Sequence, residues 1–331
     1  MENLTIATVQ YELTNIQSEE QFWAGIQAKV KEAAAQGAHM ILFPEYLTAH
    51  LLSIVPELTH LEACQYLDSF TVKYVEFFQK LSREQQIIIL GGTHICREEE
   101  GFVNKAFLFF PDGRMEMQDK LHLTPEEQNR WPLLKGEELV VFDTDWGKAA
   151  ILICYDIEFP ELSRIAAEKG ADLILCPSYT DNAFGYFRVR HCCQARAIEN
   201  QLFVALSGIV GVLVEGRPQI DTGYSQAGLF TPCDFPFTEQ GVVVVGESNQ
   251  DSVVLAHADF SMLRDNRIRG AVAPFQDRRP ALYEQELRRT TAVTMISSTT
   301  ESISTDRPGR AAGTTQPLLE LRESPSGGPC R

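Results

Sequence analysis

The chain has 331 residues, 44% hydrophobic and 22% charged, the balance of a soluble globular protein with length enough for one large domain or two small ones. Its formal net charge of −16 argues against nucleic acid or an anionic membrane surface as the main partner. No stretch approaches the ~18–20 consecutive apolar residues that a bilayer span requires.

Residues 4–10 (LTIATVQ) read as a buried strand, 19–36 as a helix ending at Gly37, 39–44 (HMILFP) as the next strand, and 61–83 as one long helix with an apolar stripe. Strands are expected at 87–92 and 103–110, the second closed by the turn Pro111-Asp112-Gly113. Two more, 140–144 and 148–154, bracket a turn at Trp146-Gly147. A helix over 160–169 ends at Gly170 and leads into a strand at 171–178. A further helix spans 187–200, followed by strands at 202–211, 227–232, 242–247 and 252–260. Apolar strand runs joined by helices predict an α/β domain, and the excess of strands over helices predicts a sheet that is mixed or split in two.

The composition changes near the end. No aromatic residue follows Tyr283, and roughly half of residues 290–331 are Ser, Thr, Pro or Gly, too little apolar surface to offset the entropy of ordering. The segment is expected to be disordered, with 318–323 (LLELRE) as a transient helix or docking motif. At the other end, MENLTIATVQYELTN lacks the basic start and long apolar core of a signal peptide. Eight cysteines show no CxxC and no paired Cys/His spacing. A cytoplasmic protein with reduced thiols, no metal and no cofactor is therefore expected.

Three strand ends carry groups that a purely structural strand would not favour. The run 148–154 (KAAILIC) stops on Cys154, just before a helix, where α/β enzymes place reactive groups and where a helix start lowers a thiol pKa. Taken alone, Cys154 reads more readily as a buried core thiol. Phe43-Pro44-Glu45 closes another strand on a carboxylate, and DKLHLTPEE (119–127) sets Lys120 and a glutamate on either side of a turn. Each alone is a solvated surface charge. Together they supply a general base, a cation and a nucleophile, the set that acyl transfer from an amide through a thioester needs. His122, two residues after Lys120, reads as a hydrogen-bonded structural histidine, Cys176 as core, and Arg190 and Arg196 as partners in structural ion pairs.

These segments resemble the nitrilase (carbon–nitrogen hydrolase) superfamily. Phe43-Pro44-Glu45 is similar to its glutamate motif, Lys120-Leu121-His122 to its lysine motif, and Ile153-Cys154-Tyr155-Asp156 with Pro160-Glu161 to its cysteine motif. Residues 195–201, 256–260 and 277–283 resemble further stretches, so that the likeness runs in order over 1–285. The resemblance implies a four-layer αββα sandwich, two mixed β-sheets flanked by helices, over 1–285, with 286–331 as a tail outside it. It implies assembly as a homodimer or higher oligomer through a helical face.

It further implies that Glu45 is the base, that Lys120 and the backbone N–H of Tyr155 stabilise the oxyanion, and that Cys154 is the nucleophile. Glu127, with Glu126 as its rival, would orient substrate and Lys120, and the loop with Tyr179 and Thr180 would face the substrate. Cys-Tyr-Asp at the nucleophile resembles the amidase and carbamoylase branches, so a small amide or carbamoyl compound is the expected partner. Where relatives that bind a substrate carboxylate often carry Arg, this chain has Ile157 and Glu158. An unbalanced Glu158 in the pocket would repel a carboxylate and favour neutral or cationic amides; as a helix-terminus charge it would have no such effect. The competing reading, a catalytically idle member that binds a metabolite or partner, is disfavoured by the retention of all three groups.

Overall fold

Alternating burial along the first strand divides the molecule into layers. In β1 (Asn3–Leu13) Leu4 and Ile6 face one core, while Ala7, Val9, Tyr11 and Leu13 face another. The computed structural model describes residues 1–298. The chain divides into one unit over Met1–Arg278 and a second that begins at Arg279. In the first unit β1 is followed by α1 (Glu19–Ala35), β2 (Met40–Leu42), a 3-10 helix (Leu47–Ile54), α2 (His60–Asp68) and α3 (Thr71–Gln85). Next come β3 (Ile88–Arg97), β4 (Phe102–Phe109), β5 (Met115–Asp119), α4 (Pro125–Arg130), β6 (Leu133–Leu134), β7 (Val141–Thr144) and β8 (Gly147–Ile151). A short 3-10 helix (Cys154–Glu158) leads to α5 (Pro160–Glu168), β9 (Ala171–Ser178), α6 (Ala183–Asn200) and β10 (Phe203–Arg217). The unit closes with β11 (Ile220–Gly223), β12 (Gly228–Phe230), β13 (Val242–Val245), β14 (Ser252–Asp259) and α7 (Phe260–Arg269).

The strands form two mixed sheet halves. One runs β14-β1-β2-β3-β4-β5, parallel from β1 to β3 and antiparallel at its flanks. The other runs β7-β8-β9-β10-β12-β13, parallel from β8 to β10. They are linked where Gln10–Leu13 of β1 pair with Gly208–Gly211 of β10. One core lies between the halves and extends under α5 and α6, through Ala166, Tyr186, Val189 and Ala197. The other lies under α1–α3 and is filled by Phe22, Trp23, Tyr74 and Phe78 against Phe43, Phe107 and Phe109. This is the αββα layering expected from the sequence.

Local differences have local causes. The single helix expected over 61–83 is two, because the Asp68 carboxylate leaves the helix direction to accept from the Arg97 N–H and the Thr71 hydroxyl, and the Ser69 hydroxyl donates back to Tyr66 O. The strand expected over 148–154 ends at Ile151. β5 was not foreseen, since Met115–Asp119 holds only two apolar residues among three polar ones. In the second unit α8 (Pro280–Ser298) is helical, so the first part of the segment expected to be disordered is a helix. The rest of that segment, including 318–323, lies outside the described residues. Among the described residues no helix is long and apolar enough to cross a membrane.

Gly92 holds two elements together. Its φ of +72° is a conformation that side chains disfavour, and an added Cβ would lie 2.1 Å from the carbonyl oxygen of Pro44. That carbonyl accepts the Thr93 N–H (3.2 Å), while the Thr93 hydroxyl accepts the Tyr46 N–H (2.8 Å), and so Glu45 is pinned from both sides. Gly92→Ala is expected to destabilise the protein by ~1–3 kcal/mol, read as a lowered midpoint in urea unfolding. An unchanged midpoint would show that the contact is slack.

Candidate active site

Three chain segments converge on one cavity of about 480 Å³, whose wall includes Glu45, Lys120, Cys154, Tyr155, Glu158, Tyr179 and Thr180. Phe43-Pro44-Glu45 leaves the end of β2, and Tyr46, in the left-handed region at φ 56°, turns the chain into the 3-10 helix that follows. Lys120 follows β5 and is clamped by its own backbone, its N–H donating to Asn104 O and its carbonyl accepting from Gly136 N, both at 2.8 Å. Cys154 opens the 3-10 helix after β8 with φ 46°, a strained conformation for a side chain that projects the thiol from the turn.

Lys120 is 2% exposed, and its ammonium is held by carboxylates on both sides. Nζ donates to Glu45 Oε1 and to both carboxylate oxygens of Glu127, each at 2.8 Å. Glu45 also accepts from Asn104 Nδ2 (3.0 Å) and the Tyr179 N–H (3.1 Å). Glu127 accepts from the Tyr46 hydroxyl (2.5 Å) and the Thr124 N–H (2.7 Å). Geometry thus separates the rivals at 126 and 127. The capping box of Thr124 with Glu127 turns Glu127 inward, whereas the Glu126 side chain is 59% exposed and pairs with Arg130.

The charges set the protonation states. Burial would push Lys120 down, but Glu45 and Glu127 more than reverse it and hold the ammonium protonated well above the ordinary lysine value. Burial, with the Glu127 charge behind it, raises Glu45 despite the opposing pull of Lys120. Glu127 goes the other way: burial opposes its ionisation, yet Lys120, Tyr46 and Thr124 hold it below the ordinary glutamate value. The Cys154 thiol is raised well above an ordinary cysteine, first by burial and then by the Glu45 charge, against Lys120 and a hydrogen bond from Ser178 Oγ (3.2 Å). This corrects the expectation of a thiol acidified by a helix start. The five-residue 3-10 helix supplies too little dipole to outweigh desolvation beside a carboxylate, so the resting group is a thiol, donating to Tyr179 O at 3.4 Å.

A second correction concerns Glu158. It lines the cavity, but its Oε1 accepts from Arg188 Nε at 2.8 Å, so its charge is balanced rather than exposed to substrate. Arg188, overlooked in the sequence, sits on α6 and also lines the cavity. Tyr155 lies on the wall, while the Thr180 hydroxyl is committed to Tyr224 O (2.8 Å). Arg190 donates to Gln226 Oε1, and Arg196 to the backbone carbonyls of Ile157 and Glu158. His122 stacks on Phe159 at 3.7 Å and bonds to Asp156, and Cys176 is buried in the core. Among the described residues no group of three or more His, Cys, Asp and Glu side chains is placed to hold a metal ion.

Sequence reading also missed Asn104, Tyr46 and Asp156. Asn104 had a signal, as a polar residue inside the buried run of β4. Asp156 had one too, standing in the cysteine motif. Wholly buried, its carboxylate accepts from the N–H groups of Ile153 (3.3 Å), Leu121 (3.2 Å) and His122 (2.7 Å). It therefore ties the turn carrying Cys154 to the segment carrying Lys120.

The chain belongs to the carbon–nitrogen hydrolase family, within the nitrilase superfamily: the family model matches residues 5–258. A Bacillus subtilis (strain 168) protein named probable hydrolase YhcX is 41% identical over 284 residues, 86% of this chain and 55% of that protein, so the chain spans little more than half of that relative. The Xenopus laevis omega-amidase NIT2-B is 27% identical over 270 residues, covering 78% of this chain and 90% of its own. The crystal structure of an amidase from Nesterenkonia sp. superposes with a TM-score of 0.66 at 20% identity, over 86% of this chain and 96% of that one, a likeness of fold.

Asp156→Ala would strand one buried and two part-buried N–H donors, the buried one at ~1–3 kcal/mol. It is expected to lower urea-unfolding stability well beyond His122→Ala, which removes only a half-exposed ring. Equal effects of the two substitutions would mean that Asp156 does not join the segments.

Proposed function

We propose that the protein hydrolyses a small amide or carbamoyl compound through a Cys154 thioester with release of ammonia. The observation that supports this most directly is a buried ammonium shared by Glu45 and Glu127 beside a thiol, all on the wall of one cavity. As the Cys154 sulfur attacks the substrate carbonyl carbon, the raised pKa of Glu45 suits it to take the thiol proton in the same step. The negative charge gathering on the carbonyl oxygen would meet Lys120 and the backbone N–H of Tyr155. Collapse breaks the C–N bond, and Glu45 returns the proton to the departing nitrogen, which leaves as ammonia. Water then attacks the thioester with Glu45 again as base, the acid departs, and the thiol is restored. Glu127, held by Tyr46 and Thr124, keeps Lys120 charged and aimed.

Two features of the assembly and setting belong to the same proposal. All seven cysteines among the described residues are unbridged, which suits a reducing cytoplasm. Ile165 on α5 and Phe184, Phe187 and Ile198 on α6 are exposed, and a second copy of the chain covering this helical face would form a homodimer.

An ammonia-release screen over amides, carbamoyl compounds and nitriles tests the reaction. Cys154→Ala should abolish release while leaving the fold intact, and Glu45→Gln should abolish it as well with no acyl-enzyme adduct by intact mass, because the thiol has lost its base. Retained turnover in Cys154→Ala would overturn the thioester route. Glu45 acts only when ionised, and its pKa lies above the ordinary 4.5. The acid limb of kcat/KM should therefore fall at a pH above that value, while Glu127, lowered, stays ionised through it. An acid limb at or below an ordinary glutamate pKa would remove Glu45 as the base.

A further inference from the structure

The buried run of β9, Leu173 to Pro177, is apolar until the strand's last residue, Ser178, which is only 4% exposed. Its hydroxyl donates to Cys154 Sγ at 3.2 Å, and among the described residues it has no other hydrogen-bond partner. Tyr179, the next residue, brackets the same pair of groups. Its carbonyl accepts the thiol S–H (3.4 Å), and its N–H donates to Glu45 Oε2 (3.1 Å). Two consecutive residues at the mouth of one strand thus hold both the thiol and the carboxylate. Glu45 Oε1 already takes Lys120 and Asn104, so Oε2, with one donor, is the oxygen with room for a proton.

A neutral sulfur is a weak acceptor, so the resting bond stabilises little, and an alanine would fill this place in the strand without burying a hydroxyl. The hydroxyl matters once sulfur carries charge, because a hydrogen bond to an ion is roughly twice as strong as one between neutral groups. Among the described residues no other side chain donates to Sγ. The three Lys120 contacts all go to carboxylates, and the Tyr179 carbonyl, an acceptor only, would face sulfur lone pairs once the thiol proton has left. Of the titratable groups that face the thiol, Glu45 and Cys176 oppose a thiolate, whereas Lys120 and, from α6, Arg188 favour one. The Ser178 bond acts in the same direction as the two cations.

We propose that Ser178 is a further catalytic residue, its O–H meeting the negative charge that passes through Cys154 Sγ as the thiol proton leaves for Glu45 and again as the thioester is broken. In the first step Sγ gives its proton to Glu45 and an electron pair to the new S–C bond, while the carbonyl π pair moves to oxygen. In the last step the oxyanion formed by water attack collapses to the acid, the S–C pair returns to sulfur, and the proton on Glu45 restores the thiol. Ser178 keeps its own proton throughout and acts through the hydrogen bond alone, which is stronger at the charged sulfur than in the resting site. This role rests on the amide-hydrolase reading above for the reaction, though not for the effect on the thiol.

Iodoacetamide alkylation of Cys154 in the full-length protein, followed at mildly alkaline pH by peptide mass, reads the thiol without turnover; the exposed Cys233 of the same molecule gives the control rate. Ser178→Ala lowers the thiolate fraction. The more basic sulfur recovers part of the rate, with a Brønsted slope of ~0.4–0.5, so alkylation of Cys154 should slow ~3–10-fold while that of Cys233 is unmoved. Ser178→Thr, which keeps the hydroxyl, should restore the rate to within about twofold. On the compounds active in the ammonia-release screen, Ser178→Ala should lower kcat/KM by ~10–100-fold. A Cys154 alkylation rate or a kcat/KM unchanged in Ser178→Ala would overturn the proposal. So would a slowing shared by Cys233, or an equal loss in a Ser178→Thr protein whose urea-unfolding midpoint is unchanged. Alkylation that depends on Ser178, with no compound in the screen releasing ammonia, would sink the hydrolase reading and leave the hold of Ser178 on the thiol standing.

Discussion

An ammonium group taken out of water loses hydration worth several kcal/mol, and it persists in a protein interior only if that loss is met by charge and hydrogen bonds in good geometry. Lys120 is in this position. Glu45 and Glu127 together supply three contacts at 2.8 Å, and the carboxylates are in turn satisfied by Asn104, Tyr179, Tyr46 and Thr124. Those partners come from β4, the end of β9, the turn after β2 and the N-terminus of α4, so the cluster needs most of the first sheet half and one strand of the second in place. Removing either carboxylate would take hydrogen bonds from the buried ammonium, and truncating Lys120 would leave two buried carboxylates without a cation.

The same cluster carries one more negative charge than positive, and that excess shapes the chemistry available. A surplus carboxylate beside Cys154 disfavours a resting thiolate and favours a base ready to accept a proton. Under the proposed mechanism proton transfer and attack would be coupled, in contrast to thiol sites where a neighbouring cation holds the thiolate in advance. Nucleophile and base would be activated only when a carbonyl is in place to receive the sulfur, which protects the thiol from unproductive reaction in the empty site.

Positioning depends on groups that never reach the cavity's centre. Asp156 gathers N–H groups from both the cysteine turn and the lysine segment, and Gly92 lets the backbone near Glu45 approach β3. Both act by removing slack, since a displacement of an ångström among reacting groups costs orders of magnitude in rate. The outer wall is built differently, from paired charges on α4 and α6 and exposed carboxylates at 181 and 221, apart from the buried Glu45–Lys120–Glu127 cluster.

Much of this was legible in the sequence because it is written in short-range patterns. Strand runs that stop on Glu45 and near Cys154, and the turn flanked by Lys120 and Glu127, are visible within a few residues of each group. The apolar strand runs and the helices between them indicated an α/β domain with a mixed or split sheet, and the αββα layers were implied by the family resemblance. What tertiary structure alone decided involves partners far apart in the chain or a property of the environment. Glu158 looked unbalanced until Arg188, thirty residues on, was brought beside it. Asn104 is an ordinary polar residue in a strand until it meets Glu45, and the helix over 61–83 breaks because Asp68 finds Arg97. The thiol's protonation was misjudged for the same reason. A local motif reports which groups are near in sequence, whereas desolvation and the Coulomb field sum over everything near in space, and that sum exists only once the chain has folded.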